Sequence, residues 1–179
     1  MMPIGPLMIE HRLIERVIKV LPVMSKRMTE RGEIEPNLID TTVDFIRMYA
    51  DRTHHGKEEE ILFRDLSKRS LEEEDQRLMK ALVDDHVYAR QTVKELVAAK
   101  ERYLGGDKGA LMTLVRKMDA LFNLYPEHIR KEDKVLFPAS MKYFSREEQG
   151  AMLNEMWEFD RGMIHEKYKS VTLMLEGKG

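Results

Sequence analysis

The segment HHGKEEEILF, residues 54–63, begins with a histidine four residues before a glutamate and ends on a Leu-Phe pair. The same order returns in HIRKEDKVLFP, residues 128–138. Because side chains four residues apart share one face of an α-helix, each copy directs an imidazole and a carboxylate towards one point. Imidazole combined with carboxylate suits iron, zinc or manganese, so the repetition predicts two metals or one shared cluster.

Two further histidines, His11 and His86, interrupt apolar faces of other predicted helices. We call His54 with Glu58 the first doublet, and His128 with Glu132 the second doublet. Burying four imidazoles and two carboxylates costs several kcal/mol unless something compensates them, and a metal cluster compensates all of them at once. A polar core network without metal is the alternative. The predicted metal ligands are His11, His54, Glu58, His86, His128 and Glu132.

The first doublet has a rival assignment one residue further along. His55 also precedes a glutamate by four residues, Glu59, and the face leading up to it is at least as apolar. The pair Leu62-Phe63 follows His54 at the same distance in the sequence at which Leu136-Phe137 follows His128. This agreement favours His54 as the ligand.

Three acidic residues, Glu10, Asp85 and Glu127, each come directly before a predicted ligand histidine. Neighbouring residues on a helix point about 100° apart, so these carboxylates are poor ligands for the same site. They are candidates to orient histidine rings on neighbouring helices, but we expect them to be solvated charges.

Composition narrows the function classes. The chain has no cysteine, which excludes disulfides, thiolate catalysis, iron–sulfur clusters and cysteine-bound zinc, so any metal must be held by nitrogen and oxygen. A net charge of −2 gives no reason to expect nucleic acid. With neither an apolar run of membrane-spanning length nor a signal-peptide pattern, we expect no membrane association and a cytoplasmic location.

Glycines and prolines divide the chain into five segments of helical periodicity. They predict an all-α fold, an antiparallel up-down-up-down four-helix bundle over about residues 7–137, with an additional C-terminal helix over about 146–175, in a single domain of residues 1–179. Pro22 should break the first helix, and the fourth should end before Pro138. The capping boxes Ser70-Leu-Glu-Glu73 and Ser145-Arg-Glu-Glu148 should open the third and fifth helices.

The two doublets, together with His11 before them and His86 between them, resemble the ordered pattern of the hemerythrin-like (HHE cation-binding) domain family. The resemblance covers about residues 7–137 and implies a four-helix bundle holding two iron ions, a non-haem di-iron centre with oxo or hydroxo bridges. It assigns the six predicted ligands to that centre, with Glu58 and Glu132 as bridging carboxylates. Oxygen-carrying hemerythrins use five histidines where this pattern supplies four. His55, His165 or a tyrosine would fill the fifth position, or water would. Tyr125, one turn before His128, is expected in the core, with a place in the lining of a small-molecule pocket as the alternative.

Two function classes follow from the resemblance. One is a binding module for a small diatomic ligand, dioxygen or nitric oxide, serving sensing, delivery or storage. The other is a di-iron oxidoreductase or iron-handling protein acting on peroxide or nitric oxide, so whether the chain is an enzyme stays open. We expect sensing or turnover to require a separate redox or signalling partner protein. The Glu-x-x-His spacing of ferritin-like proteins and the HExxH motif of zinc proteases are both missing from the sequence.

Overall fold

The computed structural model describes residues 2–175, which form five helices and no β-strand. The all-α bundle predicted from the sequence is therefore confirmed. Among these residues, no helix combines the length and the apolar character that a membrane span requires. The helices are α1 (Ile4–Ile18 and Leu21–Arg31), α2 (Pro36–Phe45, Ile46–His55, Glu58–Phe63 and Arg64–Leu66), α3 (Glu73–Leu104), α4 (Ala110–Lys131, Glu132–Leu136 and Phe137–Ser140) and α5 (Arg146–Leu175).

Proline and glycine set the limits of the first two helices as expected. Helix α1 breaks just before Leu21 because Pro22, in the first turn of its second part, has no N–H to continue the hydrogen-bond ladder. It ends at Gly32, whose φ of 67° is the left-handed conformation that glycine adopts without a steric penalty. Helix α2 then begins with Pro36, whose fixed φ suits a first turn.

Both doublets lie at π-helical stretches, in which each turn holds more residues than in an α-helix. These stretches are Ile46–His55, Glu58–Phe63 and Glu132–Leu136. Such widened turns are rare and often occur at functional sites. The last of them corrects one expectation, because α4 does not end before Pro138. It continues to Ser140. Pro138 lies in the first turn of the final segment, a position in which proline is tolerated.

Two hydrophobic clusters make up the core and follow one another along the bundle. One contains Ile14, Ala50, Val93 and Leu121. The other contains Leu7, Leu62, Leu82 and Leu136, together with Met152 and Met156 of α5. His11 lies between Leu7 and Ile14 in the sequence, and the residues of both doublets likewise lie between members of the two clusters. A polar layer is thus enclosed by apolar packing on both sides.

Helix α5 lies antiparallel along α2. Arg64 of α2 pairs with Glu155, and Arg52, further towards the start of α2, pairs with Glu166. The order of the partners in the sequence therefore runs in opposite directions on the two helices. This arrangement confirms an additional C-terminal helix packed on the outside of the bundle.

One of the two predicted capping boxes forms and the other does not. The Ser145 hydroxyl accepts a hydrogen bond from the Glu148 backbone N–H at 3.2 Å, and the Glu148 carboxylate accepts one from the Ser145 N–H at 2.8 Å. At the start of α3, neither Ser70 nor the N-cap residue Glu72 caps the helix with its own side chain. The Tyr143 hydroxyl occupies that place instead, because it accepts a hydrogen bond from the Glu72 N–H at 2.9 Å and donates one to Asp75 at 2.6 Å.

Replacing Ser145 with alanine should lower the free energy of unfolding by about 1 kcal/mol, because a helix N-terminal donor loses its partner. Urea denaturation followed by circular dichroism measures the change. Ser70→Ala is the matched control, and we expect no effect from it because Ser70 caps no helix. An equal loss in both variants would contradict the assignment of the caps.

Candidate metal centre

All six predicted ligands converge in the polar layer and are buried. They lie on four helices: His11 on α1, the first doublet on α2, His86 on α3 and the second doublet on α4. Their metal-binding role stays a prediction, but their positions are those that the spacing required. The side chains fall into two groups that could each hold a cation, His11, His54, Glu58 and Glu132 in one, and His55, Glu58, His86 and His128 in the other.

The two glutamates lie between the groups, and each turns one oxygen towards each group. Glu58 places Oε1 3.2 Å from Nε2 of His54 and Oε2 3.4 Å from Nε2 of His86. Glu132 places Oε2 3.2 Å from Nε2 of His11 and Oε1 3.2 Å from Nε2 of His128. Within the pairs, the Nε2 atoms of His11 and His54 are 2.8 Å apart, and those of His86 and His128 are 3.2 Å apart.

The carboxylate oxygens of both glutamates are buried and accept no hydrogen bond of acceptable geometry. Nε2 of His55 is likewise buried without a partner. Buried polar atoms are almost always paired, so five orphaned acceptors in one place require an explanation. A cation would satisfy them, because carboxylate oxygen and unprotonated imidazole nitrogen are both metal donors.

His55 joins the site in addition to His54 rather than in place of it. Its ring lies parallel to that of His86, with centroids 3.8 Å apart, whereas Glu59 turns away to the Nδ1 of His86. Neighbouring residues of an α-helix would diverge, but this pair closes the π-helical stretch Ile46–His55, in which the turn is wider. The Nδ1 of His55 lies 3.3 Å from Asp51, a contact that leaves the lone pair on Nε2.

Each of the five histidines of the site has a carboxylate beside its Nδ1 atom. Glu10 and Asp85 serve His54 and His128 from neighbouring helices, so our expectation that they are solvated was wrong for both. Glu127 is exposed and pairs with Arg130, as expected. The other three carboxylates were not predicted to contact these histidines. The pairs are His54–Glu10 at 2.8 Å, His11–Asp133 at 2.7 Å, His86–Glu59 at 2.7 Å, His55–Asp51 at 3.3 Å and His128–Asp85 at 3.4 Å.

A cation stands behind each of these carboxylates. Arg12 pairs with Asp133, Lys57 with Glu10, and Lys131 with Asp85. Arg90 serves two of them, since it lies 2.7 Å from Asp51 and 2.8 Å from Glu59. Charge therefore alternates outward from the two glutamates through imidazole and carboxylate to a basic side chain. Outer carboxylates of this kind fix the orientation and the tautomer of ligand histidines.

The electrostatics of the site separate His55 from the other histidines. Burial lowers the pKa of His54, but Glu58 and then Glu10 raise it to about 10. For His128, burial is likewise outweighed by Glu132 and Asp85, and the pKa rises to about 9. Burial and the positive charge of His86 hold the pKa of His55 well below its usual value. The glutamates thus favour positive charge around them, while the surroundings of His55 favour its neutral form.

The phenylalanine of the Leu-Phe pair after each doublet packs against a histidine of the site. Phe137, after the second doublet, stacks on the ring of His11, with centroids 5.6 Å apart and planes within 3°. Phe63, after the first doublet, lies parallel to His86 at 6.3 Å. Each phenylalanine therefore covers the lone histidine that pairs with the imidazole of the other doublet.

The other two candidates for a fifth ligand lie elsewhere. His165 is exposed on α5 and belongs to neither group. Tyr125 is buried with its ring 6.3 Å from that of His55, and its hydroxyl has no hydrogen-bond partner. Tyr125 and His55 line a cavity of about 120 Å³ together with Arg90.

The model of one protein family matches this chain. It is described as the hemerythrin HHE cation binding domain, and the match extends over residues 2–164. No curated protein and no solved structure matches the chain at a significant level.

Replacing Asp133 with asparagine should weaken ferrous-ion binding by about 10-fold, since His11 loses the carboxylate that orients it. A competition titration of the protein against a ferrous chelator under anaerobic conditions measures the affinity. Glu127→Gln is the control, because it also neutralises an acidic residue next to a predicted ligand. We expect its affinity to be unchanged, and an equal loss would refute the role given to Asp133.

Proposed function

This chain belongs to the hemerythrin HHE cation-binding family, and we propose that it holds two iron ions that bind a diatomic ligand, dioxygen or nitric oxide. The observation that carries this proposal is the position of Glu58 and Glu132. Each turns one oxygen to each histidine group, as a carboxylate that bridges two metals must. The carboxylates and imidazoles are donors that suit iron.

The two ions would have unequal sets of protein donors. His11 and His54 would bind one ion, and His55, His86 and His128 would bind the other. Glu58 belongs to both groups, and Glu132 would be shared because its second oxygen lies 3.2 Å from Nε2 of His128. The ion beside His11 and His54 would therefore have one protein donor fewer. That difference would leave room for a small exogenous ligand on the two-histidine side.

When bound, a ferrous pair supplies electrons to a diatomic molecule. The side chains of this protein have supporting tasks. The outer carboxylates hold the Nδ1 side of every ring, so the Nε2 lone pairs face inward. The apolar clusters on both sides of the polar layer keep bulk water away from the site.

Replacing His128 or Glu132 with alanine should abolish most iron binding, because each side chain is a donor and Glu132 serves both ions. The iron content after anaerobic reconstitution tests this. Circular dichroism on the same samples checks that the variants are folded. His165→Ala is the control and should retain the iron content of the unmodified protein, since His165 is exposed and belongs to neither group of donors. Full iron and unchanged visible absorption in either site variant would show that the assignment is wrong.

Titration of the reconstituted ferrous protein with dioxygen, nitric oxide and peroxide tests the ligand. We expect one dioxygen or nitric oxide bound per iron pair, seen as a saturating absorption change that reverses under vacuum. This result would support a binding module. Repeated consumption of peroxide or nitric oxide, without saturation, would instead identify the protein as a di-iron oxidoreductase.

A further inference from the structure

Lys57 is a lysine with no solvent exposure, directly beside the predicted metal centre in the chain. Its Nζ contacts the carboxylate of Glu10 on α1 and lies 2.6 Å from Oδ1 of Asp160 on α5. Burying an ammonium is costly unless carboxylates compensate it, and here two of them do. The donor set of the metal centre makes no use of this lysine.

The contacts of Lys57 reach the site through a single intermediate residue. Glu10 accepts a hydrogen bond from Nδ1 of His54 at 2.8 Å with one oxygen and contacts Lys57 with the other. The negative charge of Glu10 is therefore shared between an imidazole and an ammonium. A stronger attraction between Lys57 and Glu10 therefore weakens the hydrogen bond between Glu10 and His54.

Lys57 differs from the other cations behind the outer carboxylates in its burial. The side chains of Arg12, Arg90 and Lys131 are 55%, 38% and 31% exposed, whereas that of Lys57 is 0% exposed. Water and salt screen exposed charges strongly. A charge removed from water acts through a lower effective dielectric, so Lys57 affects the site more than the other three.

Helix α5 lies very close to α2 at this point. Phe159, next to Asp160, packs against Gly56, and a Cβ atom at Gly56 would lie only 2.8 Å from its ring. The glycine thus permits the approach that brings Asp160 to Lys57. The fifth helix, outside the four-helix bundle, supplies one of the two charges that hold this lysine.

We propose that Lys57 is a positioning residue that raises the reduction potential of the iron held by His54, and that Asp160 of α5 moderates this effect. The inference rests on the proposed function. A buried positive charge disfavours ferric iron, which carries one positive charge more than ferrous iron. By holding Glu10, the ammonium also limits how far that carboxylate draws the Nδ1 proton of His54, and a less anionic imidazole stabilises ferric iron less.

Reductive titration of the ferric protein tests this, with dithionite as the electron donor and mediator dyes. Each ferric ion gains one electron, and visible absorption follows the midpoint potential. Lys57→Met should shift the midpoint to a more negative value, and Asp160→Asn should shift it to a more positive value. Glu155→Gln breaks another ion pair between α2 and α5 without touching Glu10, and it should leave the midpoint unchanged.

Shifts of opposite sign are the decisive result, because a general loosening of α5 would move all variants in the same direction. Equal midpoints in Lys57→Met and Asp160→Asn would overturn the inference, and so would an equal shift in Glu155→Gln. If Lys57→Met does not fold, the comparison of Asp160→Asn with Glu155→Gln decides, since both residues are partly or fully exposed. Iron content is measured first. A failure to bind iron would overturn the proposed function, whereas bound iron with unmoved midpoints overturns only the role of Lys57.

Discussion

Two glutamates buried without a hydrogen bond to any of their oxygens, Glu58 and Glu132, are the constraint around which this bundle is organised. Their charges have to be balanced within the protein, and the surrounding layers do so in alternation. Imidazoles face the glutamates, carboxylates hold the imidazoles, and basic side chains pair with those carboxylates. Such an assembly is costly to bury unless every member is satisfied, which ties the packing of four helices to the occupant of the centre.

The repeated sequence motif produces two interlocked halves with one asymmetry. His54 meets His11 and His128 meets His86, while each trailing phenylalanine covers a histidine of another helix. The residue after the first histidine breaks the symmetry. It is His55 in the first doublet, and in the second it is Ile129, which packs in the apolar core. The inequality of the two donor groups thus comes from one position.

The spacing of His54 and Glu58 predicted that they face the same point, because a four-residue step depends only on local helix geometry. His55 was predicted only as one of several occupants of a fifth position, since a regular α-helix would turn neighbouring rings apart and the composition gives no sign of a π-helical turn. Glu59 and Asp133 were missed because each contacts a histidine on another helix, which only packing brings near. Asp51 lies four residues before its partner His55 and was missed because the role of His55 was left open. The cap predicted at Ser70 was wrong for a similar reason. Tyr143, which is distant in the sequence, accepts the hydrogen bond from the Glu72 N–H at the start of α3.

The widened turns at both doublets have a consequence for sequence length. A π-helical turn contains a surplus residue relative to the regular helix, and here the surplus lies inside the motif itself. Deleting that surplus residue would restore ordinary α-helical winding, in which neighbouring side chains point about 100° apart. His54 and His55 would then no longer both face the centre. Length variation among related chains should therefore be confined to connections such as the one at Gly105 and Gly106, with the doublets kept free of insertions and deletions.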